Sequence, residues 1–326
     1  MKTGTTALGA YFSTASRAGI LPKGVVYPTG DLWFPASGNI TKHGQLADFL
    51  YPEGRHNSGR KTEIRTPEQV DAMVAHVARE ATTRGGKDAT VVFISETLEG
   101  RPHPELMAKL LTTHFAHVTV VVAVRFPVHA AQSLLVHQIK DWRSTQVEFD
   151  LYGMLREDDG TLSFNYARMI ERWSAFPKVT LKLIPYFEDE SDGYAVVDRF
   201  MTVVTGKPAP RLDDDFGSRR IHPSLPLRSL RRLVALKKLK LRLTSIPWLT
   251  SLVHKLFVRT LFTDREKVVR AGFGTRSAEA GDWVISDDER DKILALYGDL
   301  SRTLTSALGK EATNPEWRAW FQSVGM

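Results

Sequence analysis

The chain has no cysteine among its 326 residues. That excludes disulfides, thiolate nucleophiles and cysteine-ligated metals, and it fits a reducing compartment. No apolar run reaches the ~18 residues that a membrane-crossing helix needs. There is no H-E-x-x-H pair and no carboxylate cluster at metal-ligand spacing, so no metal site is expected. Internal repeats and low-complexity tracts are also lacking. One absence is local: from Phe216 to Thr263 there is no Asp or Glu, yet there are eleven Lys and Arg. Removing those eleven from the 44 cations leaves 33 against 37 acids, so the net charge of +7 belongs to one segment.

What remains is ordinary globular material, 42% hydrophobic and 25% charged. Helical spacing is expected over Thr5–Ser16, residues 41–51, Pro67–Arg84, Pro104–Phe115, Val128–Asp141, Asn165–Ala175 and Gly193–Val204. Pro67 stands at a favoured first-turn position. Strands are expected at Gly24–Gly30, Ala89–Ser95, His117–Val124 and Lys178–Pro185. ATVVFIS and HVTVVVAV are continuous apolar runs, the mark of strands covered on both faces. Strand alternating with helix implies an α/β class with a parallel sheet. Helical patches at Leu227–Leu243 and Trp248–Leu261 come next, and Asp287–Leu308 reads as one closing helix with a Ser286 cap and an acidic first turn.

Two stretches carry chemistry. The opening KTGTT is not a Walker A motif, which places its Lys after the second Gly. Its ingredients are nevertheless those of an anion site: consecutive amides, a glycine and a helix N-terminus. In isolation the pentapeptide reads equally well as a tail running into a helix. In VRFPVHAAQS, Arg125 ends a buried strand and Ser133 comes eight residues later in the next helix. A planar guanidinium and a hydroxyl so arranged can converge on one phosphate. The plainer reading is an Arg that caps the sheet and a Ser bonded within its helix.

Together, KTGTT and R-x-x-x-x-x-x-x-S resemble the sulfotransferases that use 3′-phosphoadenosine-5′-phosphosulfate. FNYARMIERWSAF, the KVTLKLIPYFEDESDGYAVVDRFMTVVTG after it, and SDDERDKILALY are similar to the bacterial, carbohydrate-directed branch. The resemblance spans most of residues 2–205 and returns near 284–308. It implies a three-layer α/β/α fold with a central parallel sheet, P-loop-like, and transfer of a sulfuryl group to a hydroxyl of a saccharide or glycolipid. By the same resemblance Lys2 would stabilise the oxygen bridging sulfate and phosphate. Thr3, Gly4, Thr5 and Thr6 would hold the 5′-phosphate, and Arg125 and Ser133 the 3′-phosphate. No metal is implied.

An acceptor hydroxyl must lose a proton, so a general base is needed. Glu96, in FISETLEG at the end of a buried strand, is the first candidate, since open α/β sheets place ligands at strand ends. Otherwise it caps the next turn. His43, in NITKHGQLADFL, is the rival, with an ordinary helix-start histidine as its plainer reading.

The expected organisation is an α/β core over 1–210, a basic helical segment over 211–263 and a C-terminal helical part over 264–326. In the basic segment Leu227, Leu230, Val234 and Leu241 form one stripe. Arg228, Arg231, Arg232, Lys238 and Arg242 lie largely off it, and Lys237 is counted among the lipid-facing charges. The plain reading is a solvated helix. The sharper one is peripheral docking of a cytoplasmic protein to an anionic membrane surface through residues 219–259. A polyanionic glycan could use the same charge, and nucleic acid fits less well because no recognition module accompanies the patch. Two rivals to the transferase stand beside it. A small-molecule kinase would need a Gly-Lys-Ser/Thr run and a strand-end Asp, neither of which is evident. A non-catalytic membrane- or glycan-binding protein would keep a decayed sulfotransferase core. The resemblance finally implies a strand leading into KTGTT, which the sequence does not contain. A hydrophobic strand of roughly five to eight residues upstream of Met1 is the expected resolution.

Overall fold

Valine-rich segments make the strands. In the computed structural model, which describes residues 4–28, 43, 46, 66–94, 104–140, 165–188, 190, 192–212, 216, 227–244 and 286–326, there are four. They are β1 (Val25–Val26), β2 (Thr90–Val91), β3 (Val118–Val124) and β4 (Val179–Pro185). β1 pairs with β2 and β3 with β4, both in parallel, with Val118 opposite Val179 and Val124 opposite Pro185. The helices are α1 (Thr5–Arg17), α2 (Pro67–Gly85), α3 (Pro104–His114), α4 (Pro127–Lys140), α5 (Tyr166–Ser174), α6 (Ala195–Thr205), α7 (Leu227–Thr244), α8 (Asp287–Tyr297), α9 (Leu300–Leu308) and α10 (Pro315–Ser323). The class is mixed α/β, mostly helical, and the described strands form two separate two-stranded sheets.

The chain divides into two compact units. The first comprises residues 1–126, 158–221 and 297–326. On one side α2, α3 and α5 form a row: α2 touches α3 and α3 touches α5. α2 also packs on β1 and β2, α3 on β3, and α5 on β4. α2 starts where expected because Thr66 accepts the Gln69 amide while the Gln69 side chain accepts the Thr66 amide, a full capping box ahead of Pro67. Its Val70, Met73, Val74 and Val77 are all buried.

α1 packs on α6. Tyr11 and Phe12 are fully buried there, with Phe12 at 5.4 Å from Tyr27 and 5.6 Å from Phe200 between ring centroids. Tyr11 meets Tyr194 and Phe216 edge-on, and its hydroxyl donates to the Pro210 carbonyl at 2.9 Å. Burial of each large ring contributes about 1.5–3 kcal/mol, so this cluster fixes α1 firmly. α10 packs on β4, with Trp317 and Trp320 buried.

The second unit comprises residues 127–157 and 222–296. α4 and α7 pack together in it. Val234 and Lys237 of α7 are buried, and Lys237 Nζ donates to the Gln138 carbonyl of α4 at 2.8 Å. The expectation that Lys237 is a surface charge facing lipid is therefore overturned by its burial. The helix expected over Asp287–Leu308 is also two helices. Its first turn is capped by Ser286, whose hydroxyl accepts the Glu289 amide at 3.3 Å. It stops at Tyr297 because Gly298 takes φ +62, and the Asp299 side chain then caps α9 by accepting the Arg302 amide at 2.9 Å. The expected Trp248–Leu261 patch and most of residues 41–51 lie outside the described residues.

Candidate functional site

Gly4 takes a left-handed conformation, φ +78, immediately before α1. A Cβ there would stand 2.8 Å from Val196 Cγ2 at the start of α6, so the position requires glycine for both conformation and space. Gly4 brings no side-chain cap, and the first turn of the helix holds no acid. The partial positive charge of a helix start favours an anion there. Thr5 and Thr6 are half-buried, while Lys2 and Thr3 lie outside the described residues.

The structure brings the start of α1 and two strand ends together. Thr5, Ile94 beyond β2 and Ala123 near the end of β3 line one groove of about 1150 Å³ in the first unit. Glu96, two residues past Ile94, lies outside the described residues.

His43 sits at the β2 end, fully buried. Its amide donates to the Ile94 carbonyl at 2.7 Å, and the Ile94 amide donates to His43 Nδ1 at 3.1 Å. Because Nδ1 accepts, Nε2 carries the proton and donates to the Pro28 carbonyl at 3.0 Å. Tyr27 and Phe93 flank the ring edge-on. Burial pushes its pKa down to about 4, against two backbone hydrogen bonds that raise it. The residue extends the edge of β2 where β1 has ended, with both ring nitrogens bonded to main chain. As placed, it presents no nitrogen to an acceptor hydroxyl.

Arg125 ends β3 and is 8% exposed. The Tyr166 hydroxyl accepts its amide and donates to its carbonyl, both at 2.9 Å, which fixes the backbone there. The guanidinium grips Glu188 at two points, Nε to Oε1 and Nη2 to Oε2, the latter at 2.6 Å. The Tyr186 ring lies 5.4 Å away. Burial favours losing the charge, but Glu188 outweighs it and the pKa is raised above the usual arginine range. Ser133 is half-buried on α4, in the other unit.

Glu188 and Tyr166 are site residues that the sequence reading does not include. A signal for Glu188 exists. Once β3 and β4 pair in parallel with Val124 opposite Pro185, residues just past the two strands become neighbours, and an acidic FEDE stretch comes directly after β4. Among the described residues no group of three or more His, Cys, Asp or Glu could hold a metal ion. Compared with known proteins, the chain matches no family model, and no curated protein or solved structure matches it significantly.

Proposed function

We propose that the chain is a sulfotransferase that moves a sulfuryl group from 3′-phosphoadenosine-5′-phosphosulfate to a hydroxyl of a saccharide or glycolipid, on a three-layer α/β/α core. The observation that carries this reading is that an acid-free helix start behind Gly4 lines the same groove as the ends of two strands. That arrangement suits an anionic ligand bound at the strand ends of an α/β sheet.

In this reading the amides and hydroxyls of Thr3, Gly4, Thr5 and Thr6 hold the 5′-phosphate. Glu96 takes the acceptor proton as the hydroxyl oxygen attacks sulfur. The bond from sulfur to the bridging oxygen breaks, and Lys2 stabilises the charge left on that oxygen. Positioning and charge supply the acceleration, as in phosphoryl transfer. His43 orders the end of β2 instead of acting as base. A 3′-phosphate would take the place of Glu188 on Arg125.

Calorimetric titration with adenosine 3′,5′-bisphosphate tests the reading. Binding should be micromolar or tighter, and Glu96→Gln should keep it while turnover falls about 100-fold or more. No binding of the bisphosphate to the folded protein would reject it. The Arg125–Glu188 pair favours a second reading, a non-catalytic protein with a decayed core, because a guanidinium paired twice to a carboxylate is also a purely structural device. Its surface would be α7. Arg231, Ala235, Lys238, Leu239 and Arg242 are all exposed and recur at helical spacing, which suits an anionic lipid surface in either reading.

A further inference from the structure

The chain leaving β4 is gripped from two sides by arginines whose side chains are each 10% exposed. On one side Arg125 holds the Glu188 carboxylate at two points and has the Tyr186 ring 5.4 Å away. On the other, Arg199 of α6 has the Phe187 ring 4.9 Å away. Tyr186 and Glu188 thus turn one way and Phe187 the other, the alternation of chain that prolongs a strand. Arg199 also donates to the Glu190 carboxylate, from Nη1 at 3.0 Å and from Nη2, and to the Pro185 carbonyl at 3.3 Å.

The same stretch carries the C-terminal helix. Trp320 of α10 donates its indole N–H to the Tyr186 carbonyl at 2.9 Å, and Glu316 accepts from Arg199 Nε at 3.3 Å. The Tyr186 amide donates to the Val124 carbonyl, next to Arg125, at 2.9 Å. Tyr186 therefore ties the end of β3 to α10 through its own N–H and C=O. The partners in the Arg125–Glu188 pair are unequal. The arginine backbone is fixed by the Tyr166 hydroxyl, whereas the Glu188 side chain is 34% exposed. A buried guanidinium is costly without an anion, so Arg125 stays in place and the carboxylate is the member that can be exchanged. Once another anion replaces it, Glu188 turns to water and residues 186–188 lose their charged anchor on β3.

We propose that residues 186–188 form a latch coupling the anion on Arg125 to the C-terminal helix. Glu188 on Arg125 keeps the latch and α10 tight, and a phosphate monoester on Arg125 loosens both. The latch rests on the proposed 3′-phosphate site and adds regulation to it. By linkage the coupling is reciprocal: what loosens α10 makes Glu188 easier to displace and tightens the phosphate.

The test has one arm without ligand and one with it. In ligand-free Glu188→Gln, which removes the charge and keeps an acceptor oxygen, exchange at the Tyr186 amide and the Trp320 indole should quicken at least threefold, with α3 unchanged. Unchanged exchange at both would overturn the latch. Should that variant not fold, Glu316→Gln works from the other end. Its carboxylate is 56% exposed, and its loss should quicken the Tyr186 amide; an unchanged rate again overturns the latch. With adenosine 3′,5′-bisphosphate as probe, Glu316→Gln should bind about fivefold more tightly than the parent in calorimetry. Adenosine 5′-phosphate should bind both equally. The gain should vanish in the Glu188→Gln background, where no charged competitor remains. No gain, an equal gain for both nucleotides, or a gain that persists without Glu188 would each overturn the latch. If the folded protein binds no bisphosphate, the transferase reading alone falls, and the exchange arm, which needs no nucleotide, decides the latch.

Discussion

His43 and Ile94 are bonded twice through the backbone of Ile94: the His43 amide gives to the Ile94 carbonyl at 2.7 Å, and its ring takes the Ile94 amide at 3.1 Å. The histidine thus stands in for a continuation of β1, pairing with β2 through one main-chain group and one side-chain atom.

A pH dependence arises from that pairing. The folded pKa of His43 lies near 4, below its ordinary value of 6.5, because the buried ring resists charging. Its contribution to stability is complete above the unfolded pKa and is lost as pH falls from about 6.5 toward 4. The loss is of order 3 kcal/mol once the pH is below both values. His43→Asn, which keeps an acceptor near the Nδ1 position and cannot titrate, should show a shallower fall of Tm between about pH 6.5 and 4.5. Parallel Tm curves for the two proteins in calorimetry would show that the ring does not titrate with folding.

Gly4 is sensitive for two separable reasons. Gly4→Ala should destabilise by about 1–3 kcal/mol, part from the left-handed conformation and part from the contact with Val196. Adding Val196→Ala should restore the steric part and leave the conformational part. Urea unfolding of the two single variants and the double gives the coupling directly, and strict additivity would mean that the two residues do not press on each other.

At Arg125, the proposed ligand exchange makes opposite forecasts for the two partners. Arg125→Ala should weaken adenosine 3′,5′-bisphosphate by about 2–3 kcal/mol and adenosine 5′-phosphate hardly at all. Glu188→Gln removes the competing charge and should tighten the bisphosphate about tenfold. Equal losses for both nucleotides in Arg125→Ala, with no gain in Glu188→Gln, would make the pair structural.

On α7, Arg231→Gln, Lys238→Gln and Arg242→Gln together should release the protein from vesicles containing anionic lipid without changing its Tm. Lys237→Gln should instead lower Tm, because its ammonium satisfies the Gln138 carbonyl in the α4–α7 contact. Co-sedimentation that is indifferent to salt and to lipid charge would exclude the membrane surface.

Much of the architecture is legible in the residues themselves. α2 announces itself with Thr66, Pro67 and Gln69, and β3 and β4 with apolar runs, because capping and burial are local or periodic signals. The apolar spacing of Ile293, Tyr297 and Leu300 continues across Gly298, which hides the break between α8 and α9. The Gly-Asp pair is the sign that the backbone stops and restarts there. β1 and β2 are shorter than their apolar runs suggest, since pairing length depends on what lies on the other edge. The position of Arg125 at a strand end is readable. Its pairing with Glu188 is not, because 63 residues separate them and only the β3–β4 register brings them together. Lys237 escapes the sequence pattern for a similar reason: the face of α7 that meets α4 is chosen by packing, not by polarity alone.

The packing of α10 on β4 has a consequence for how the protein is made. Trp320 donates from its indole nitrogen to the Tyr186 carbonyl at 2.9 Å, and the two residues are 134 positions apart. At about 5–20 residues per second, a ribosome needs roughly 7–27 s to travel from one to the other. Throughout that interval the outer side of β4 lacks its tryptophan cover, and Arg199 lacks Glu316. The first unit therefore closes only after synthesis of residue 320, and a chain stalled or cut earlier presents a bare parallel strand to whatever chaperone or neighbour it meets first.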